Sequence, residues 1–239
     1  MHNLSLLIRG EFERMIKYKI LQISLVVTVL WLIMLWMIGS EEAVTFVPLF
    51  IFMDASMMSV LMIGANLFYE KQENTLKTLL ITPSTLPAII FSKVIGSVYL
   101  ALQSTIILAV SAMILFGLEV KLIPLILFIT LIATLHTMIG FMFSMYAKDF
   151  NGLLGLMIAY MVFFAFPSIF YALGVIEGFL EMVLLISPTH SSLLLIDYTM
   201  MKDVDLWIRI FGIVYMSIAT VLLTVCVVYP NYMKDAVRD

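Results

Sequence analysis

Five uncharged stretches limit the folds open to this chain more than any other feature. Each runs for 21 to 27 residues without Asp, Glu, Lys or Arg: 20–40, 94–118, 122–147, 150–176 and 210–233. A helix crosses the apolar core of a bilayer in roughly 20 residues, so each stretch is long enough to span a membrane. Only 12% of the chain is charged, about half the share in soluble domains. The sequence therefore predicts a polytopic all-α membrane protein, and excludes soluble enzymes, nucleic-acid binders and disulfide-rich secreted scaffolds.

A sixth apolar stretch, 43–69, is interrupted only by Asp54. We predict one transmembrane domain over 1–239, with spans at about 20–39, 46–69, 94–117, 122–146, 153–173 and 207–229. The segment 174–206 contains a short apolar piece followed by a polar hexapeptide with a proline, 187–192. Unpaired backbone groups are costly at mid-membrane, so we predict that this segment is a short external helical element, interfacial or re-entrant.

The basic residues predict the orientation of the spans. With the N-terminus inside, ten of the thirteen Lys and Arg residues are cytoplasmic, while Lys121, Lys202 and Arg209 are external. Cytoplasmic loops of membrane proteins carry the excess of Lys and Arg. We therefore expect a multi-pass protein of the cell membrane with both termini in the cytoplasm.

Two cytoplasmic segments have helical patterns. Residues 3–19 are amphipathic, because Leu4, Ile8 and Phe12 recur at helical spacing, which predicts a helix along the inner interface. The loop 70–93 contains a short helix pattern with a leucine face that ends at Pro83, after which Thr85 can cap a new helix. An exposed leucine face is typical of a docking element, although a helix lying on lipid fits the same pattern.

This loop resembles the cytoplasmic loop of type-2 ABC exporter permeases. The similar residues are Glu70-Lys71-Gln72-Glu73-Asn74-Thr75-Leu76, then Leu79-Leu80-Ile81-Thr82-Pro83 and, ten residues on, Lys93. The amphipathic leader, the six-span layout and the proline before the last span are also similar. Asn74 and Ser92 depart from the family, which usually has glycine at both positions.

The resemblance implies that the loop is a coupling helix, which binds a groove of a separate ATPase subunit. On this basis the ATPase-coupling residues are Glu70, Glu73, Thr75, Leu76, Leu79, Leu80, Thr82 and Pro83, with Lys148 and Asp149 of the second inner loop as a minor contact. The sequence contains no G-x-x-x-x-G-K-[ST] phosphate-binding motif. We therefore expect ATP and Mg²⁺ on the partner, no catalytic, metal or cofactor residue in this chain, and a dimer with itself or with a second permease.

Three polar residues within the spans are candidates for the substrate pathway: Asp54, Gln103 and His136. A carboxylate inside a membrane is costly and marks a functional site by default. The alternative for Asp54 is a hydrogen bond that locks two helices, and an interhelical hydrogen bond is the alternative role for His136.

The sequence as a whole favours the permease subunit of an ATP-driven exporter, which moves an amphipathic drug, peptide or lipid-like substrate by alternating access. An ion-coupled secondary transporter or channel that uses Asp54 is the main alternative. An intramembrane metalloprotease would need H-E-x-x-H, which the sequence lacks. A purely structural or sensory membrane subunit is the remaining possibility.

Overall fold

The computed structural model describes residues 2–73, 85–176 and 179–232. Helix α1 covers His2–Lys17 and α2 covers Ile20–Met37. Helix α3 consists of Ser40–Phe52, a π-helical turn at Met53–Met58, and Ser59–Gln72. Helix α4 covers Leu86–Phe116, and α5 covers Leu122–Tyr146. Helix α6 consists of Phe150–Tyr160, a π-helical turn at Met161–Ala165, and Phe166–Ala172. Two short helices follow, α7 at Phe179–Leu184 and α8 at Pro188–Thr199. Helix α9 covers Leu206–Leu222 and continues through the π-helical segment Leu223–Val228.

Among the described residues, six helices are long and apolar enough to cross a bilayer: Ile20–Met37, Ser40–Glu70, Leu86–Phe116, Leu122–Tyr146, Phe150–Ala172 and Leu206–Tyr232. This finding confirms the predicted all-helical fold with six spans. Four of the helices begin earlier than the predicted spans, and the difference is largest at residues 40 and 86, which stand against predicted starts of 46 and 94. Thr85 occupies the N-cap position of α4 and Pro87 lies in its first turn, but the Thr85 side chain makes no capping hydrogen bond.

Helix α3 is the centre of the bundle. In the most apolar 18 residues of Ser40–Glu70, 78% of the residues are buried. The share in the corresponding part of α2 is 22%, and in that of α9 it is 11%. Helices α4, α5 and α6 pack around α3, and the main core contains Ile51, Phe52 and Leu108. The peripheral helices leave their apolar side chains exposed, as expected for surfaces that face lipid.

Helices α3 and α5 approach each other closely at Gly140. A Cβ atom at this position would lie 2.8 Å from the carbonyl oxygen of Val60, which is closer than real Cβ contacts allow. The absence of a side chain at Gly140 therefore lets the two helices pack backbone to backbone.

The polar hexapeptide 187–192 lies inside the protein. Helix α8 begins with Pro188 in its first turn, and Thr189, His190 and Ser192 are fully buried. The Thr189 hydroxyl donates a 2.6 Å hydrogen bond to the carbonyl of Phe164 in α6, and the Ser192 hydroxyl donates to Pro188. Protein groups therefore satisfy these hydroxyls, as they must when water is excluded.

The three basic residues that the sequence places outside gather at one end of α8. The Lys121 ammonium lies 3.8 Å from the ring centroid of Tyr198, and the Arg209 guanidinium lies 4.1 Å from it. The Lys202 ammonium lies 2.8 Å from the Asp197 carboxylate. Cation–π and ionic contacts thus hold α8 to the start of α5 and α9.

Candidate functional site

Four charged side chains meet where α1, α3 and α4 come together, at the end of the bundle that the sequence predicts to be the inner, cytoplasmic one. Arg14 of α1 contacts Glu11 at 2.6 Å and Glu70 of α3 at 3.0 Å. Lys93 of α4 contacts Glu70 at 2.5 Å and Glu11 at 3.3 Å. The amide of Asn66 in α3 donates to the second oxygen of Glu11. We call these five residues the inner ion cluster, and it links three helices through two carboxylates and two cations.

The inner ion cluster is almost completely shielded from solvent. The side chains of Lys93 and Glu70 are 0% exposed, and that of Glu11 is 2% exposed. Burying an ion costs several kcal/mol unless opposite charges and hydrogen bonds compensate. Burial alone would raise the pKa of Glu11, but the Lys93 and Arg14 cations outweigh burial and hold this pKa below the ordinary value of a glutamate. Glu11 is therefore ionised and faces two basic side chains.

Helix α1 reaches this position because it folds back against α4. Lys19, between α1 and α2, has a left-handed backbone with φ of 59°, which turns the chain sharply. A Cβ atom at Gly96 of α4 would lie 3.0 Å from the sulfur of Met15 and 3.2 Å from Cγ of Glu11. The missing side chain at Gly96 thus allows α1 to lie directly on α4 and carries Glu11 toward Lys93.

Glu73 joins α1 to the start of the first inner loop. Its carboxylate accepts hydrogen bonds from the Lys17 ammonium at 2.6 Å and the Tyr18 hydroxyl at 2.9 Å. These two hydrogen bonds lower the pKa of Glu73. The Tyr18 ring also stacks on Tyr69, with centroids 5.1 Å apart. Glu70 and Glu73, both predicted as coupling residues, are therefore held by α1 immediately before the loop.

The other predicted coupling residues of the first loop lie outside the described residues: Thr75, Leu76, Leu79, Leu80, Thr82 and Pro83. The coupling helix itself therefore stays a prediction. The structure describes the residues on both sides of this segment. Glu70 and Glu73 precede it and contact α1, and Lys93 follows it and contacts Glu70.

The second inner loop contains the predicted minor contact. It is three residues long, between the end of α5 at Tyr146 and the start of α6 at Phe150. Asp149 is the N-cap of α6 and accepts a 2.7 Å hydrogen bond from the backbone N–H of Gly152, which gives it a structural role. Lys148 is exposed and remains accessible for contact with another subunit.

The three predicted pathway residues lie on three different helices, α3, α4 and α5. Asp54 is buried in the π-helical turn of α3 and accepts a hydrogen bond from Ser104 of α4. His136 of α5 is bonded to the carbonyl of Ile132 at 2.9 Å and to the Tyr160 hydroxyl of α6 at 3.2 Å. Gln103 is half-buried. The observed partners of His136 match the interhelical hydrogen bond considered for it, and its role in transport stays a prediction.

Sequence reasoning missed Glu11 and the role of Lys93 as its partner. One signal was present, since Glu11 follows Leu4 and Ile8 and precedes Met15 at helical spacing, which puts a carboxylate on the apolar side of α1. On the exposed side of α1, Arg9 contacts Glu13 four residues later at 2.9 Å. Lys17, a further four residues on, contacts Glu73 at 2.6 Å.

Six helices long and apolar enough to span a bilayer, with an ion cluster where three helices meet, define a multi-pass membrane protein. The family model described as ABC-2 type transporter matches residues 2–201, which includes every residue of the inner ion cluster. The chain belongs to the ABC-2 type transporter family and is a permease subunit of an ABC transporter. A comparison with curated proteins found no significant match.

Proposed function

We propose that this chain is the permease subunit of an ATP-driven exporter whose motor is a separate P-loop ATPase. ATP and Mg²⁺ bind to that partner, and this chain supplies the path through the membrane. The cargo class is an amphipathic drug, peptide or lipid-like molecule, because apolar spans with few polar groups suit a substrate that partitions into the bilayer. A dimer with itself or a second permease provides enough helices to enclose the path.

The inner ion cluster is the observation that carries this proposal. It ties α1 to the last turns of α3 and to the first turns of α4, which are the two helices that flank the first inner loop. A force applied to that loop therefore moves α1, α3 and α4 as one body. A rigid connection of this kind converts closure of the motor into a tilt of the spans, provided that the two states bind substrate with different affinity.

The orientation supports the same proposal. Ten of the thirteen Lys and Arg residues belong to the same side as the first inner loop, which supports a cytoplasmic location for this loop, where a soluble ATPase has access to it. Both termini then lie in the cytoplasm, and the protein resides in the cell membrane.

The test is affinity purification of the tagged chain from its native membrane in mild detergent, followed by an assay of ATP hydrolysis. We expect a stoichiometric P-loop ATPase to copurify. In the variant Glu73→Lys, the charge reversal repels Lys17 at the base of the loop, so ATP hydrolysis should no longer respond to the permease.

Glu13→Lys is the matched control for this experiment. Glu13 is an exposed carboxylate of α1, the helix that contains Lys17, and it contacts Arg9 of the same helix, so its reversal should leave the ATPase response unchanged. Reproducible absence of any ATPase from the intact chain would overturn the proposal and favour an ion-coupled transporter. An equal response in both variants would remove Glu73 from the coupling path.

A further inference from the structure

A cleft lies between α4, α5 and the last span, and none of the residues of the inner ion cluster lines it. Its volume is about 540 Å³, which is within the range of roughly 300–1,000 Å³ for pockets that hold small molecules. Its lining comes from the first turns of α4, the middle of α5 and the last turns of the span Leu206–Tyr232. No charged side chain is among these residues.

The cleft has a buried floor and exposed walls. Ile90 of α4 and Met138 of α5 line it and are buried, and Met138 is only 2% exposed. Phe91 of α4, and Val225 and Tyr229 of the last span, also line it and are exposed. The cleft therefore continues the outward-facing apolar surface of these helices, which lipid surrounds in a membrane protein.

The deep end of the cleft has two hydroxyl groups, and both donate within their own helices. The Thr134 hydroxyl donates a 2.6 Å hydrogen bond to the carbonyl of Thr130. The Thr224 hydroxyl donates a 2.7 Å hydrogen bond to the carbonyl of Thr220. Apart from these threonines and the hydroxyl of Tyr229, the lining is apolar, so the cleft suits a hydrocarbon occupant.

The cleft extends over one half of the bilayer. On α4 its lining begins at Pro87, in the first turn, and goes no further than Val94. On α5 it reaches Thr134, the middle residue of Leu122–Tyr146. The distance from the middle of this helix to its end is roughly 18 Å, and one leaflet contributes about 15 Å to the hydrocarbon core. The length of the cleft therefore matches that of one acyl chain.

A transmembrane helix of another subunit would need a longer groove. Such a helix crosses the whole hydrocarbon core of about 30 Å, whereas the residues of α4 and α5 that line the cleft all belong to one half of their helices. A lipid chain already lies beside this surface and enters without crossing water. An empty cleft would deprive its lining of dispersion contacts, so occupation by a chain is favoured.

We propose that this cleft binds one acyl chain of a phospholipid from the leaflet on the side of the first inner loop. The methyl end of the chain lies near Thr134 and Thr224, and the headgroup remains at the level of Pro87 and Tyr229, since tyrosines are enriched where spans meet the headgroups. The chain fills the space between the inner ends of α4 and the last span. Packing drives the binding, because lipid tails are as apolar as the lining. The proposal does not depend on the ATPase partner.

The test is photo-crosslinking of the full-length chain in nanodiscs of phosphatidylethanolamine and phosphatidylglycerol. A small part of the phosphatidylethanolamine carries a diazirine on one acyl chain, either near the methyl end or near the carbonyl end. We expect the methyl-end probe to label Thr134 and Met138, which peptide mapping detects. Because Met138 is buried, a chain that only surrounds the bundle does not reach it. The carbonyl-end probe should label Pro87 and Tyr229 instead.

Val94→Phe places a larger side chain in the cleft. It should lower the label at Met138 by about tenfold or more, which corresponds to about 1.4 kcal/mol of binding free energy. Val110→Phe is the matched control, because Val110 is exposed on α4 but does not line the cleft, and it should keep the wild-type label. Val225→Phe narrows the cleft from the opposite wall and gives a second measurement if Val94→Phe does not fold.

Three results would overturn the proposal. Label at the exposed Val110 without label at Met138 in the wild type would mean that no chain enters the cleft. Equal label at Met138 in Val94→Phe, Val225→Phe and wild type would mean that the probe reaches α5 by another route. A disulfide between two copies of Val225→Cys, in a Cys226→Ser background, would assign the cleft to an interface between subunits.

Discussion

Lys93 shows how a single residue decides whether the inner ends of three helices stay together. Its ammonium has no exposed surface, and it contacts one carboxylate from α1 and one from α3. A lysine at the beginning of a span normally extends its charge to the interface. Here the two glutamates replace water around the ammonium, so the charge is compensated inside the protein.

Removal of the Lys93 charge should be strongly destabilising. In Lys93→Met, two buried carboxylates share the single cation Arg14, and breaking a buried ion pair costs about 3–5 kcal/mol. Thermal unfolding of the purified chain in detergent measures the loss. The matched control is Arg9→Met, because the Arg9–Glu13 pair is 78% and 64% exposed and exposed pairs contribute about 0–1 kcal/mol.

The double variant Lys93→Met with Glu11→Gln separates lost charge balance from lost packing. It leaves Arg14 and Glu70 as a neutral pair, so part of the lost stability should return, and the two changes should be non-additive. Additive losses of stability would mean that Lys93 does not balance the charge of Glu11. An Arg9→Met variant as unstable as Lys93→Met would mean that burial of the cluster adds nothing to its stability.

At the scale of elements, the spans could be predicted from the sequence and their mutual packing could not. Four of the six predicted spans contain no charged residue, and the other two contain one each, Asp54 and Arg209, so the position of a span follows from composition and length alone. The inner ion cluster depends on Glu11, Glu70 and Lys93, which are far apart in sequence and are brought together only by the fold of α1 onto α4. The burial of residues 187–192 could not be predicted for the same reason. The Thr189 hydroxyl donates a hydrogen bond to the carbonyl of Phe164, and no local sequence pattern indicates this distant partner.

The contact between α3 and α5 provides a test at this scale. In Gly140→Ala the new Cβ lies 2.8 Å from the Val60 carbonyl oxygen, and overpacking of this kind costs about 1–3 kcal/mol. Gly155→Ala is the matched control in α6, since a Cβ there meets no atom within 4 Å. The control should be neutral, or more stable by up to about 1 kcal/mol, because alanine favours helix. Thermal unfolding in the same detergent compares the two, and equal midpoints would mean that α3 and α5 are not closely packed.

At the scale of the whole molecule, charged groups lie at both ends of the bundle, and the buried helix α3 runs between these ends. One end of the bundle holds the ion cluster, whereas Lys121, Lys202 and Arg209 surround α8 at the other end. The buried centre, α3, passes through both ends and carries Asp54 midway. Helix α3 therefore contacts the ion cluster at one end and α8 at the other.

An ATP-driven permease needs its first inner loop on the cytoplasmic side of the membrane, and cysteine labelling measures which side each loop faces. In a Cys226→Ser background, Glu119→Cys and Lys148→Cys place one thiol each in exposed loops at opposite ends of α5. Because ten of the thirteen Lys and Arg residues lie on the side of Lys148, that side should be cytoplasmic. A membrane-impermeant maleimide should then label the thiol at 119 in intact cells, and the thiol at 148 only after permeabilisation. The reverse pattern would place the first inner loop outside the cell, where no ATP is available, and would remove the physical basis for an ATP-driven permease.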